Sequence, residues 1–151
     1  MPSENHQTSS FELHPRLAAD TFMVRELALC QLRLMNDSRF TWMILVPRRE
    51  GVTEVHQLET ADQQQLMTES SLVAGVLMAI SGAEKINIGA LGNLVPQLHW
   101  HVVARHGSDP CWPGPVWGCG SVTPYREEEL ETLLERLEER LQQIRPAPCS
   151  A

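Results

Sequence analysis

The residues best equipped for chemistry lie in one short stretch, Gln97-Leu98-His99-Trp100-His101-Val102-Val103-Ala104-Arg105. Side chains on a strand alternate between faces with a period of two. Gln97, His99, His101, Val103 and Arg105 therefore share one face, and Leu98, Trp100, Val102 and Ala104 share the other, which can bury. The first face gathers two imidazoles, a carboxamide and a guanidinium. Pro96 lacks an N–H and marks the point where the chain leaves a turn. A neutral histidine on such a face can attack phosphorus and form a covalent phosphoramidate. Its neighbour can hydrogen-bond a phosphate oxygen or serve a leaving group, because imidazole titrates near neutrality. The same His-x-His pair could instead bind zinc or iron with a third ligand from elsewhere. The plainest alternative is a pair of polar residues on a solvated face.

The elements that must position this stretch can be read on either side of it. Residues 1–10 form a polar tail. Phe11 to Leu17 is a short element interrupted by Pro15. Ala28 to Met35 fits a strand, with Arg25 and Glu26 as a break before it. Asn36-Asp37-Ser38 is a turn signal, and Phe40 to Pro47 is a second strand with Trp42, Ile44 and Val46 on one face. Glu59 to Gly82 reads as a helix capped by Thr60 and stopped by Gly82. Lys85 to Ala90 and Leu98 to Arg105 are further strands around a Gly-containing turn. Residues 106–124 form a loop rich in Gly, Pro and Trp. Residues 125–145 form an amphipathic helix whose stripe includes Leu130, Leu134, Leu137 and Leu141. Residues 146–151 are a second tail. The fold class is α+β: an antiparallel sheet with a central helix and a C-terminal amphipathic helix, in one domain spanning 11–145.

Composition narrows the possible functions. The chain has 151 residues, 42% of them hydrophobic and 21% charged, which excludes a disordered or low-complexity protein. Its net charge of −7 and its one lysine, Lys85, argue against stable nucleic-acid binding, which needs clustered cations. Seven glutamates and four arginines fall within 126–145, so the rest is closer to neutral and a local phosphate site stays open. No run of about 18 apolar residues is present, so no membrane contact is expected. The N-terminus carries no export pattern, so a cytoplasmic protein is expected. The four cysteines are then reduced by default, with a Cys111–Cys119 bridge or metal pair as the alternative.

The central stretch resembles the histidine triad (HIT) superfamily, whose pattern is His-φ-His-φ-His-φ-φ (φ apolar), usually followed by arginine. The resemblance extends upstream to Ile86-Asn87-Ile88-Gly89-Ala90-Leu91-Gly92-Asn93. It also takes in Trp42 to Arg48 and Val55-His56-Gln57-Leu58, so it covers roughly residues 11–106. It implies an α+β domain with an antiparallel sheet of about five strands, commonly a homodimer, that binds a nucleotide and acts on a nucleoside-linked phosphorus. By that correspondence His99 is the nucleophile, His101 contacts phosphate oxygens and Gln97 orients the site in place of the first histidine. Asn87 and Asn93 match phosphate-contacting or loop-shaping positions, and Asn36 falls near the ribose region. Arg105 is a candidate phosphate partner, or alternatively pairs with an acid of the last helix. No metal or cofactor is implied.

Three departures from the family pattern stand out. Glutamine at 97 can hydrogen-bond but cannot deliver a proton at neutral pH. Leu94 stands where many members carry Ser or Thr. Phe40-Thr41-Trp42 replaces a Pro-Gly-His stretch. The expected function is a nucleotidyl hydrolase or transferase working through a nucleotidyl-His99 intermediate. The alternatives are a weakly active or inactive nucleotide-binding module, and a metal-dependent enzyme using His99 and His101. Trp112 and Trp117 either cover the core or a dimer interface, or stack on a base. His56 reads as a packing or capping residue, His106 as a possible third metal ligand, and Arg48 and Arg49 as solvated.

Overall fold

Five runs of alternating or apolar residues become the five strands of one antiparallel sheet in the computed structural model, which describes residues 10–144. They are β1 (Thr21–Glu26), β2 (Cys30–Met35), β3 (Trp42–Pro47), β4 (Lys85–Gly89) and β5 (Trp100–Arg105). The order across the sheet is β1-β2-β3-β5-β4. The helices are α1 (Pro15–Asp20), α2 (Thr60–Ser81) and α3 (Glu127–Gln143). No helix among the described residues is long and apolar enough to cross a membrane. The tails at 1–10 and 146–151 fall, Ser10 apart, outside the described residues, as does Cys149.

The period-two alternation produces two cores, one on each side of the sheet. Met43 and Leu45 of β3, with Val102 and Ala104 of β5, face α2 and α3, where Val73, Leu77, Leu137 and Leu141 meet them. Trp42, Ile44 and Val46, with Val103, face a second cluster made with Leu17, Phe40, Val95 and Val116. The histidine-bearing face is therefore covered, which overturns the solvated-face alternative. His99 and His101 are 8% and 4% exposed.

Several boundaries shift for local reasons. Arg25 and Glu26 belong to β1, whose register slips by a bulge between Met23 and Arg25. The break comes instead at residues 27–29. There the buried Glu69 carboxylate of α2 accepts from the Leu29 and Cys30 N–H groups at 3.1 and 2.9 Å. Glu59, not Thr60, is the N-cap of α2, and Gln63 bonds back to the Leu58 carbonyl at 3.0 Å. Gly82 ends that helix in the left-handed region, φ 65°, where a missing Cβ removes the strain. Pro15 opens α1 rather than interrupting it, since the first helical position needs no N–H.

Cys111 and Cys119 form a disulfide, which corrects the reduced default for that pair. The compartment rule speaks to redox environment; the loop itself brings the two Cα atoms to 6.2 Å, within bridging range. Cys30 remains a free, buried thiol, and burial followed by the adjacent Glu69 pushes its pKa up.

Candidate functional site

His99 and His101 line the same cleft, of about 470 Å³. That size lies within the range of small-molecule sites. Three segments build its walls. Helix α1 contributes Arg16, Leu17 and Asp20; the end of β2 contributes Met35; and the loop after β4 contributes Leu91 to Val95. Trp42 and Trp117 complete the wall beside the histidines.

His99 lies one residue before β5 begins. Its Nδ1 lies 2.6 Å from the backbone carbonyl of Gln97. A carbonyl oxygen only accepts, so Nδ1 carries a proton, and it is Nε2 that has the lone pair in the uncharged form of the ring. His101 has the opposite arrangement. The Trp42 indole N–H donates to His101 Nδ1 at 2.9 Å. An indole N–H only donates, so the His101 proton sits on Nε2. Burial, with a smaller push from His99, lowers the His101 pKa to about 3, and the ring is neutral at physiological pH. The two imidazole centroids are 5.0 Å apart. Together they offer one nitrogen lone pair and one N–H donor on a single cleft.

The other sequence candidates divide. Asn93 lines the cleft. Gln97 does not. Its Oε1 accepts from the His14 N–H and its Nε2 donates to the Glu12 carbonyl, both at 2.8 Å. The expectation that this carboxamide orients the histidines is corrected: the Gln97 backbone carbonyl holds His99 and the Trp42 indole holds His101, while the Gln97 side chain ties down the N-terminal segment. Arg105 is 1% exposed and donates to both Asp109 carboxylate oxygens, at 2.8 and 3.0 Å, and to Asn87 Oδ1 at 2.8 Å. Neither Arg105 nor Asn87 lines the cleft, and the ion-pair partner of Arg105 is Asp109 rather than an acid of the last helix. The Arg105 guanidinium holds Asp109 down to about 2, against the opposing effect of burial. Asn36 accepts from the Tyr125 N–H at 2.9 Å and does not line the cleft, although its neighbour Met35 does.

Further readings change as well. His56 is exposed and caps nothing; Gln57 accepts from Thr53 and Glu54 instead. No metal-binding group of three His, Cys, Asp or Glu occurs among the described residues, so His106 completes no such set. Arg48 donates to the carbonyls of Leu27, Ala28 and Leu29, and Arg49 pairs with Asp62. Neither is simply solvated. Trp112 is 40% exposed and lies over Arg105, whereas Trp117 lies edge-on to His101 with centroids 5.4 Å apart.

Sequence reasoning assigned no site role to Trp42. The missing information is the β3–β5 register, in which Ile44 pairs with His101 and Trp42 with Val103, on the same face. The wall from α1 was equally invisible, because nothing local predicts which surface a six-residue helix covers.

The HIT domain family matches residues 16–108. No curated protein matches the chain. Among solved structures, a histidine triad protein from Sinorhizobium meliloti 1021 is 53% identical, with TM-score 0.85, over 87% of this chain and 97% of that one. One from Marinobacter aquaeolei VT8 is 46% identical, with TM-score 0.86, over 89% and 98%. Another from Bradyrhizobium japonicum is 40% identical, with TM-score 0.84, over 86% and 97%.

Proposed function

The chain belongs to the HIT domain family, and from that premise we propose that it binds a nucleotide in the His99–His101 cleft and transfers the nucleotidyl group to water or another acceptor through His99. The single observation that carries this reading is the pair of complementary tautomers: His99 with a free Nε2 and His101 with an Nε2–H, on one cleft. The His99 Nε2 lone pair attacks the nucleoside-linked phosphorus, an N–P bond forms, and the bond to the leaving group breaks. The ring becomes cationic, and the Gln97 carbonyl on Nδ1–H stabilises that charge. The His101 Nε2–H donates to a phosphoryl oxygen, where negative charge builds. Water then attacks phosphorus and gives up a proton to solvent, the N–P bond breaks, its electron pair returns to His99 Nε2, and the neutral ring and a nucleoside monophosphate result.

The test pairs binding with turnover. Calorimetry with nucleoside monophosphates should give saturable binding that His101→Ala weakens. His99→Ala should abolish hydrolysis of a dinucleoside polyphosphate while retaining binding. Undiminished turnover in His99→Ala would remove the nucleophile from this reading. A second reading, a nucleotide-binding module with little catalysis, draws on the Gln97 carboxamide being engaged with residues 12 and 14. Binding without product over hours would favour it.

A further inference from the structure

The cystine loop converges on the back of His101. Its first end is held by Asp109, whose carboxylate accepts from the Cys111 N–H at 3.0 Å while paired with Arg105. Its second end is held by Arg39, which donates to the Cys119 carbonyl at 2.6 Å and pairs with the fully buried Asp37. The disulfide ties these two ends together. Between them, Val116 enters the core at 2% exposure and Trp117 reaches His101. The indole meets Trp42 as well, edge-on at 6.1 Å. Its seat is Gly89, the residue paired with His101 across β4 and β5; a Cβ there would come within 3.2 Å of Trp117 Cη2.

No hydrogen bond holds the indole in place. Trp117 Nε1 is buried without an acceptor among the described residues. Such an orphan is uncommon and calls for a structural cause. The indole is carried on the loop between its two anchored and bridged ends. The result is a His101 ring enclosed by Trp42, Trp117 and His99.

We propose that Trp117 is a positioning residue for His101, and that the Cys111–Cys119 disulfide fixes it there, so that the His101 environment depends on the oxidation state of the pair. Only the catalytic consequence rests on the function proposed above; the structural dependence does not. A dithiol supplies the two electrons and two protons of reduction. The S–S bond breaks, two thiols form, and the dithiol becomes a cyclic disulfide. The freed loop keeps its ion-pair anchors but loses the closure that presses Trp117 onto the ring, and water reaches His101. The titratable group against His101 is His99; Arg16 and Asp20 of α1 stand on the same cleft. The facing residues of β3, β4 and the loop (Ile44, Trp42, Gly89, Trp117) carry no charge.

Imidazole NMR of the full chain tests the proposal, with each histidine assigned and titrated between pH 8 and 4. In the oxidised protein His101 should stay neutral throughout. In Trp117→Ala, in Cys111→Ser/Cys119→Ser and after dithiothreitol, its titration should move up by about one pH unit or more, because solvation favours the cation. Trp117→Phe retains an aromatic edge and should restore the wild-type profile, which a purely structural effect of the loop would not require. A His101 titration identical in every sample would overturn the proposal. Four free thiols in the protein purified without reductant would overturn its disulfide half. Adding AMP to the oxidised protein separates the two claims. Absence of shifts at His99 and His101 would contradict nucleotide binding and leave the titration to decide the role of Trp117.

Discussion

The Trp42 indole nitrogen stands 2.9 Å from His101 Nδ1, and that one bond places the proton of the neutral His101 ring on Nε2. Trp42→Phe keeps an aromatic ring, smaller than the indole, and removes the N–H. It should cost about 1–3 kcal/mol of stability, because a buried acceptor loses its partner. Nucleoside monophosphate affinity should fall about tenfold, the worth of one ordinary hydrogen bond lost from a fixed donor. Calorimetry and urea denaturation of the same variant measure both. Unchanged affinity would mean that the His101 tautomer does not matter for binding.

Acid stability follows from the same ring. His101 has a folded pKa of about 3 against the ordinary 6.5, so between those values the unfolded chain binds a proton that the folded chain refuses. Stability should therefore fall as pH drops from about 6.5 towards 3, with a limiting slope of about 1.4 kcal/mol per pH unit from this one group. Asp109 adds a second, more acidic window. Its folded pKa of about 2 lies below the usual 3.8, so its contribution is complete above 3.8 and is lost between there and 2. Denaturation curves across this range should show the first window disappear in His101→Gln and the second persist.

Arg105 separates a structural role from a phosphate-binding one. Removing it in Arg105→Ala leaves Asp109 as a buried, unpaired carboxylate, with a side chain only 5% exposed. A loss of about 3–5 kcal/mol is expected. Asn93→Ala, at an exposed position on the cleft, should leave stability within about 0.5 kcal/mol and weaken nucleotide binding. The reverse pattern would return Arg105 to the ligand.

Much of the site was legible because strand periodicity is a local property. It placed His99 and His101 towards one side, and it placed Trp42, Ile44 and Val46 together on one face. Turn signals such as Asn36–Asp37 between apolar runs marked four of the five strands; β1 went unread because Arg25 and Glu26 look like a break until their pairing with β2 is seen. Long-range pairing was not legible. Arg105 looks like a ligand residue until Asp109 and Asn87 are seen against it, and Gln97 looks like part of the site until residues 12–14 are seen on it. The Glu69 carboxylate that holds the chain where it enters β2 comes from a helix some 40 residues away.

The Gln97 side chain also bears on the leaving group. A carboxamide engaged with Glu12 and His14 delivers no proton, and His101 is a neutral donor. Leaving groups that depart as stable anions, such as a nucleoside phosphate, should therefore turn over faster than alkylamines, which need protonation. Gln97→Ala should release the N-terminal segment to proteolysis and change this preference little. Parallel rates on a dinucleoside polyphosphate and a nucleoside alkylphosphoramidate measure the ratio. Faster release of the amine would place an acid in the site that the geometry does not supply.

Trapping the covalent intermediate addresses the central claim most directly. Protein mixed with a dinucleoside polyphosphate, quenched within milliseconds in base and mapped by peptide mass spectrometry, should carry one nucleotidyl group on His99. His99→Asn should carry none. An adduct on His101 instead, or steady turnover by His99→Asn, would contradict the account.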